Sequence, residues 1–229
     1  MKNRYILSFT SRADGSNRFG KMANSNFRPN YSISGRWNAT MENWFPQRGI
    51  ISDWQVRASF GTQGNVVSAV GPNFIAGYSG AKRDPATNIP YLTIKSMPYP
   101  ELRWEKTYQV TLGSSVGLFN NRITINAEYY NKISKDVIDK LPIPYEYGMT
   151  YMYRNGGEIF NKGIELGVQA QLIKSKNLGF SLAFNTSKNL NKLANQTSNY
   201  GYQSLFNGSG NLPGRAISGI YSYVFNGLN

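Results

Sequence analysis

RNGGEIFNKGIELGVQAQLI, residues 154–173, opens on glycine-rich turn chemistry and closes as a strand of unbroken period two. Ile164, Leu166, Val168, Ala170 and Leu172 share one face, while Glu165, Gly167, Gln169 and Gln171 share the other. Successive side chains of a strand point to opposite sides, so the segment offers one face to an apolar medium and one to water. The pattern holds for about nine residues, against a usual strand length of about 5–6. A strand this long and this two-sided calls for two different solvents.

The same period recurs along the chain. Residues 4–12, 30–42, 54–61, 105–117, 122–131 and 178–187 all alternate, and residues 216–226 form a possible further strand of ambiguous phase. In 122–131, Ile123, Ile125, Ala127 and Tyr129 oppose Thr124, Asn126 and Glu128; in 178–187, Leu178, Phe180, Leu182 and Phe184 oppose Ser181, Ala183 and Asn185. The connections alternate in length. Short ones fall near 47–53, 119–121 and 174–177, and long ones at 13–29, 62–103, 132–160 and 188–215. All tight turns then lie on one edge of the sheet and all long loops on the other, the arrangement of an outer-membrane barrel with periplasmic turns and external loops. Several strands reach the length of about 9–11 residues that a tilted membrane strand needs. Trp44, Phe45, Trp54 and Phe119 lie beside the short turns, and Trp104, Tyr129 and Tyr130 toward the long loops, as two aromatic girdles would.

Composition removes whole classes of chemistry. The 229 residues contain neither cysteine nor histidine, which excludes thiol catalysis, Cys/His zinc sites and histidine general bases. The net charge of +13 comes from 25 basic residues scattered among 12 acidic ones. No basic block and no nucleic-acid motif accompanies them, so no nucleic-acid partner is expected. No apolar run approaches the roughly 18 residues of a transmembrane helix.

Six segments in order carry a family resemblance: SRADGSNRFG (11–20), VRASFGTQGN (56–65), PELRWEKTYQVTLG (100–113), NNRITINAEYYNKISKDVI (120–138), NGGEIFNKGIELGV (155–168) and FSLAFNTSKNLNKL (180–193). Together they resemble the SusC/RagA-like family of TonB-linked (TonB-dependent) outer-membrane transporters of Bacteroidota. The resemblance implies an all-β fold: about 7–8 long antiparallel strands from a transmembrane barrel of about 22, with short periplasmic turns and long extracellular loops. It implies a nutrient importer for oligosaccharides or peptides, capped by a SusD-like surface lipoprotein. TonB, with ExbB and ExbD, would drive it through a plug. Residues 1–229 are expected to be part of the barrel domain, with plug, signal peptide and terminal strand absent from this sequence. Two alternatives stay open: a complete small outer-membrane barrel of structural or adhesive role, and a soluble carbohydrate-binding β-sandwich.

No catalytic, metal or cofactor site is expected. Glu128 and Glu165 share the polar phase of strands joined by one loop, and two carboxylates at about 5–9 Å suit glycoside hydrolysis, yet no pocket-forming residues accompany them. Asp14 lies in a loop without the spacing of a calcium site. Gly156, Gly157 and Gly163 read as turn and strand-start glycines. The candidate contact set is therefore the water-facing one: Gln55, Arg57, Gln109, Glu128, Glu165 and Gln169 toward substrate in the lumen. Phe74, Tyr78 and Tyr91 in the 62–103 loop are expected to meet substrate or lid.

Overall fold

The computed structural model describes residues 3–19, 27–46, 49–68, 70–196, 200–208, 210–217, 219–224 and 227. The strands are β1 (Tyr5–Gly15), β2 (Phe27–Asn38), β3 (Ile51–Asn65), β4 (Ile75–Arg83), β5 (Pro90–Ser96), β6 (Glu105–Leu118), β7 (Ile123–Pro142), β8 (Tyr151–Lys174) and β9 (Gly179–Asn195). Seven of them form one antiparallel meander in the order β1-β2-β3-β6-β7-β8-β9, and β4 and β5 make a separate hairpin. Among the described residues β1 does not pair with β9, so the sheet stays open. A complete small barrel would have joined those two edges; this chain forms an arc. Beyond its membrane-length part, the free edge of β9 meets the returning chain: the Leu193 N–H donates to the Arg215 carbonyl at 2.8 Å and the Ile217 N–H to Asn191 Oδ1 at 2.7 Å.

The strands overrun their expected ends on the long-loop side. Residues 132–160, read as a loop, are mostly strand: β7 runs on to Pro142 and β8 begins at Tyr151. A register shift between Ser134 and Ile138, with Asp136 at φ 55°, breaks the period while the ladder continues, which is what a β-bulge does. Gly156 and Gly157 consequently lie inside β8 instead of in a turn. Gly157 faces the bulge, where an added Cβ would come within 3.1 Å of Val137 Cβ. The 62–103 loop contains the β4–β5 hairpin. The connection placed near 47–53 spans 39–50 and includes a short 3-10 helix, Ala39–Met41. Residues 219–224 carry no strand, and 218, 225 and 226 lie outside the described residues.

At the 119–121 turn, Phe119, Asn120 and Asn121 all take left-handed backbone angles, φ 53°, 58° and 59°. Asparagine tolerates that region well, which is why two of them close so tight a connection.

The buried core is not between layers of sheet. Phe19, Val70, Tyr99, Leu102 and Trp104 form one buried cluster among the loops, flanked by Ile138, Met152 and Tyr153 of the β7–β8 hairpin. Trp104, expected in the outer girdle, packs instead against Phe19, the rings tilted by 43° at a centroid distance of 5.1 Å. The apolar sheet face lies bare: Leu7 is 83% exposed, Phe9 71%, Ile164 60% and Phe184 62%. A soluble sandwich buries such a face at roughly 25 cal/mol per Å2; this chain leaves it open.

Candidate functional site: a polar sheet face beneath a clamped loop base

Ladder pairing assigns every side chain to a face. One cross-strand row runs Ile6, Arg36, Arg57, Gly113, Glu128, Glu165, Ser187. The next row toward the short turns on the same face runs Asn38, Gln55, Ser115, Asn126, Gly167, Asn185. Gln109 and Gln169 fall in the same phase, opposite Gly61 and Thr124. All six expected lumen residues therefore share one face, although along the strands they are spread over several rows.

Within that face the contacts are specific. Arg57 donates to Glu128 Oε2 at 2.9 Å, with both side chains partly exposed. Gln55 donates to Asp53 Oδ2 at 3.0 Å, and Gln109 to Thr111 Oγ1 at 3.2 Å. Glu165 sits directly opposite Glu128. A shallow, open cavity of about 410 Å3 lies over Arg57, Asn126, Glu128, Glu165, Asn185 and Ser187. Arg57 pairs with Glu128 on one side of it, and Glu165 is exposed on the other. Tyr130, assigned to the outer girdle, falls in this polar phase and lies over Gly163, where an added Cβ would come within 2.6 Å of its hydroxyl. Gly163 is thus a packing glycine well inside β8.

Of the loop aromatics, Phe74 precedes β4, Tyr78 pairs across the hairpin with Leu92, and Tyr91 points to the opposite hairpin face. All three are exposed, Tyr78 most of all at 74%. The hairpin does not gather them into one patch.

The sequence reading missed the clamp beneath these loops. Asn155, 5% exposed, accepts the Arg103 N–H at 3.0 Å and donates from Nδ2 to the carbonyls of Arg103 (2.9 Å) and Asp136 (2.7 Å). Asp136 in turn accepts from Arg103 at 2.7 Å and pairs with Lys106 at 3.2 Å. Glu105 takes the Ile138 N–H at 2.9 Å and Asn65 Nδ2 at 2.7 Å. The segments RWEK, SKDV and RNGG thus meet at one node, which ties the root of the 62–103 loop to the β7–β8 hairpin. Burial pushes the Asp136 carboxyl up, but the hydrogen bonds and charges of Arg103 and Lys106 outweigh it and hold it below its usual value. Only the spacing of charged residues around an asparagine signalled this, and period-two reading does not use it.

The opposite face carries Tyr5, Leu7 and Phe9; Ile33 and Trp37; Trp54, Val56 and Phe60; Val110, Leu112 and Val116; Ile123 and Ile125; Ile164, Leu166 and Val168; Phe180, Leu182 and Phe184. At its short-turn end Trp37 lies 5.8 Å from Trp54 and 6.3 Å from Trp44, and Glu42 accepts from Trp37 Nε1 at 3.1 Å and Tyr5 OH at 2.7 Å. The apolar run drifts along the sheet. It centres on Leu182 in β9 and on Leu7 in β1, whose ladder row reaches β9 at Lys188, six residues further on. Six residues are about 20 Å, and six strand spacings about 29 Å, which tilts the strands by about 35° from the normal of the apolar band. Membrane barrels tilt their strands by about 35–45°.

Open meander, tilted apolar band, aromatic girdle and polar inner face define a wall segment of an outer-membrane β-barrel. Residues 2–229 match the family described as "TonB dependent receptor-like, beta-barrel", and the chain belongs to it. It is 33% identical over 195 residues to TonB-dependent receptor P3 of Formosa agariphila, covering 83% of this chain and 19% of that protein. It is 29% identical over 201 residues to TonB-dependent receptor SusC of Bacteroides thetaiotaomicron, covering 85% and 20%. The RagAB peptide importer in its closed-closed state superimposes with a TM-score of 0.70 at 26% identity, over 84% of this chain and 21% of that one. The chain spans about a fifth of the length of these relatives. It is a SusC/RagA-like barrel segment of the outer membrane.

Proposed function

We propose that this chain is one arc of the wall of a TonB-dependent importer for large polar nutrients, oligosaccharides or peptides, and acts as conduit rather than catalyst. The observation that carries the reading is the division of the sheet into a bare apolar face and a hydrated face crossed by the Arg57–Glu128 pair. Gln55, Arg57, Gln109, Glu128, Glu165 and Gln169 line the passage; Phe74, Tyr78 and Tyr91 stand on the loop side, where a SusD-like lipoprotein lid and cargo would meet them. The likeness to a structure described as a peptide importer supports peptides as one of the two cargo classes. A plug pulled by TonB with ExbB and ExbD would supply the energy.

The test is uptake. Cells with and without the gene for the full receptor are given labelled oligopeptides and oligosaccharides of similar mass, with and without an uncoupler. Receptor-dependent, energy-dependent entry of one class is expected. Equal entry in both strains for both classes sinks the importer reading.

A further inference from the structure

Three lysines stand on the outward face of the last two strands, next to Phe160, Ile164 and Leu190. Lys162 on β8 pairs with Leu190 on β9, and Lys188 and Lys192 stand two residues to either side of Leu190. Both are therefore diagonal neighbours of Lys162, about 7–8 Å away across the ladder. Ile164 is the ladder partner of Lys188, and Phe160 that of Lys192. All three lysines are exposed, and none has an ion pair among the described residues. Glu158, four residues up the strand from Lys162, is already paired with Lys135 at 3.4 Å. Three unneutralised cations this close repel one another, and side-chain pairing within the sheet does not relieve it.

Their depth gives the reason they are there. Lys162 lies six residues from Val168 at the centre of the β8 apolar run, and Lys188 six from Leu182 at the centre of the β9 run. Six residues of a strand tilted by about 40° rise about 15 Å, which is just outside an apolar band about 25 Å tall. Both ammonium groups thus reach the same boundary, on the long-loop side, which is the outer leaflet. Lys192, four residues beyond Lys188 on β9, stands about 10 Å higher, on the outer side of the same boundary. Ile164, 60% exposed, and Leu166, 37% exposed, lie on the bilayer side of the charges and offer acyl-chain contact.

We propose that Lys162, Lys188 and Lys192 form a binding site for a phosphate-bearing lipid of the outer leaflet, its anionic headgroup on the ammonium groups and its acyl chains along Ile164 and Leu166. Basic clusters at a membrane boundary attract anionic lipid by on the order of fivefold per lysine. The site is independent of the cargo, because it lies on the opposite face of β8 from Glu165.

The experiment is native mass spectrometry of the full receptor released from mixed micelles of phosphatidylglycerol and phosphatidylcholine. The parent receptor retains phosphatidylglycerol in preference, and the triple variant Lys162→Gln/Lys188→Gln/Lys192→Gln loses that preference by a factor of ten or more (order of magnitude). The Lys→Arg triple variant keeps it, and phosphatidylcholine retention is unchanged throughout. Heat-modifiable gel mobility reports assembly; if the triple Gln variant fails to assemble, the single Lys162→Gln variant carries the test with a loss on the order of fivefold. Millimolar inorganic phosphate leaves the bound lipid in place. Equal phosphatidylglycerol retention by parent and Gln variants overturns the site. So does displacement by inorganic phosphate, which would mark a soluble-anion site instead.

Discussion

Arg57 and Glu128 meet across a strand to which neither belongs. The guanidinium leaves β3, crosses β6 over Gly113 and reaches the Glu128 carboxylate on β7 at 2.9 Å. An added Cβ at Gly113 would stand 2.6 Å from Arg57 Nε, so glycine is what keeps that path open. Gly113→Val should lift the guanidinium away and uncouple the pair. A double-mutant cycle on Arg57→Met and Glu128→Gln, read by denaturant unfolding of the full receptor in detergent, should give a coupling within about 1 kcal/mol, as partly exposed pairs do. In the Gly113→Val background the coupling should vanish. Coupling that survives the valine would mean the pair does not need this route.

Asn155→Ala should loosen the loop base. It removes three hydrogen bonds and strands the Arg103 N–H in a buried place, a loss of about 1–3 kcal/mol for an orphaned group. Faster amide exchange at residue 103, and faster proteolysis within 62–103, are expected without change in the membrane strands. Unaltered exchange there would show that Asp136 alone holds the node.

Asp136 sets a pH limit on the same clamp. It lies seven residues past Tyr129, about 20 Å toward the loops and clear of the apolar band. Its carboxyl is held below the ordinary value of 3.8 because Arg103 and Lys106 favour the charged form over the penalty of burial. A carboxylate depressed on folding contributes stability above its unfolded value and loses it as pH falls through the folded one. The loop base should therefore be insensitive between pH 5 and 8 and loosen only on acidification below about pH 4. Protease protection of the 62–103 loop across pH, with Asp136→Asn as the comparison, measures this; the variant should be equally loose at all pH values. Loosening near neutrality would implicate another group.

Period-two alternation made the membrane part of the fold legible from sequence, because a surface that separates lipid from water forces each residue to declare its face. Ile123, Ile125, Ile164, Leu166, Val168, Phe180 and Leu182 fall together on one side for that reason, and Glu128, Glu165 and Gln169 on the other. Outside the bilayer both faces are wet, the constraint lapses, and β7 past Asn131 and β8 before Lys162 looked like loop. Trp104 and Tyr130 were misplaced for a related cause. An aromatic near a strand end suits a girdle, a loop core or a cover for glycine equally well, and only Phe19 and Gly163 decide between them.

The tilt of the band yields a depth test. Leu7 and Leu182 should lie at equal distance from the bilayer midplane although their ladder rows are about 20 Å apart along the strand. Depth-dependent quenching by lipids brominated at successive acyl carbons, with a fluorophore at each site of the reconstituted receptor, should give matching profiles. Lys188, in the row of Leu7, should be quenched far less than Leu7 itself. Equal quenching at 7 and 188 would mean that the strands run upright.

Val168 and Gln169 give the sharpest contrast, since one residue separates two solvents. Val168 pairs with Ile125 and Phe184 on the apolar face, near the centre of the β8 run; Gln169 pairs with Thr124 and Ala183 on the other. Val168→Arg should cost about 2–4 kcal/mol, the midplane penalty for a charge in a membrane barrel, whereas Gln169→Arg keeps its hydration and costs little. Stability alone does not separate lipid from a protein core, because arginine is penalised in both. Lipid access does. In the reconstituted full receptor a lipid-soluble quencher should reach a fluorophore at position 168 and spare one at 169, while iodide in the aqueous lumen should do the reverse. Equal quenching at both positions, or protection of 168 from the lipid quencher, would place that face against protein and remove the basis for the tilted band.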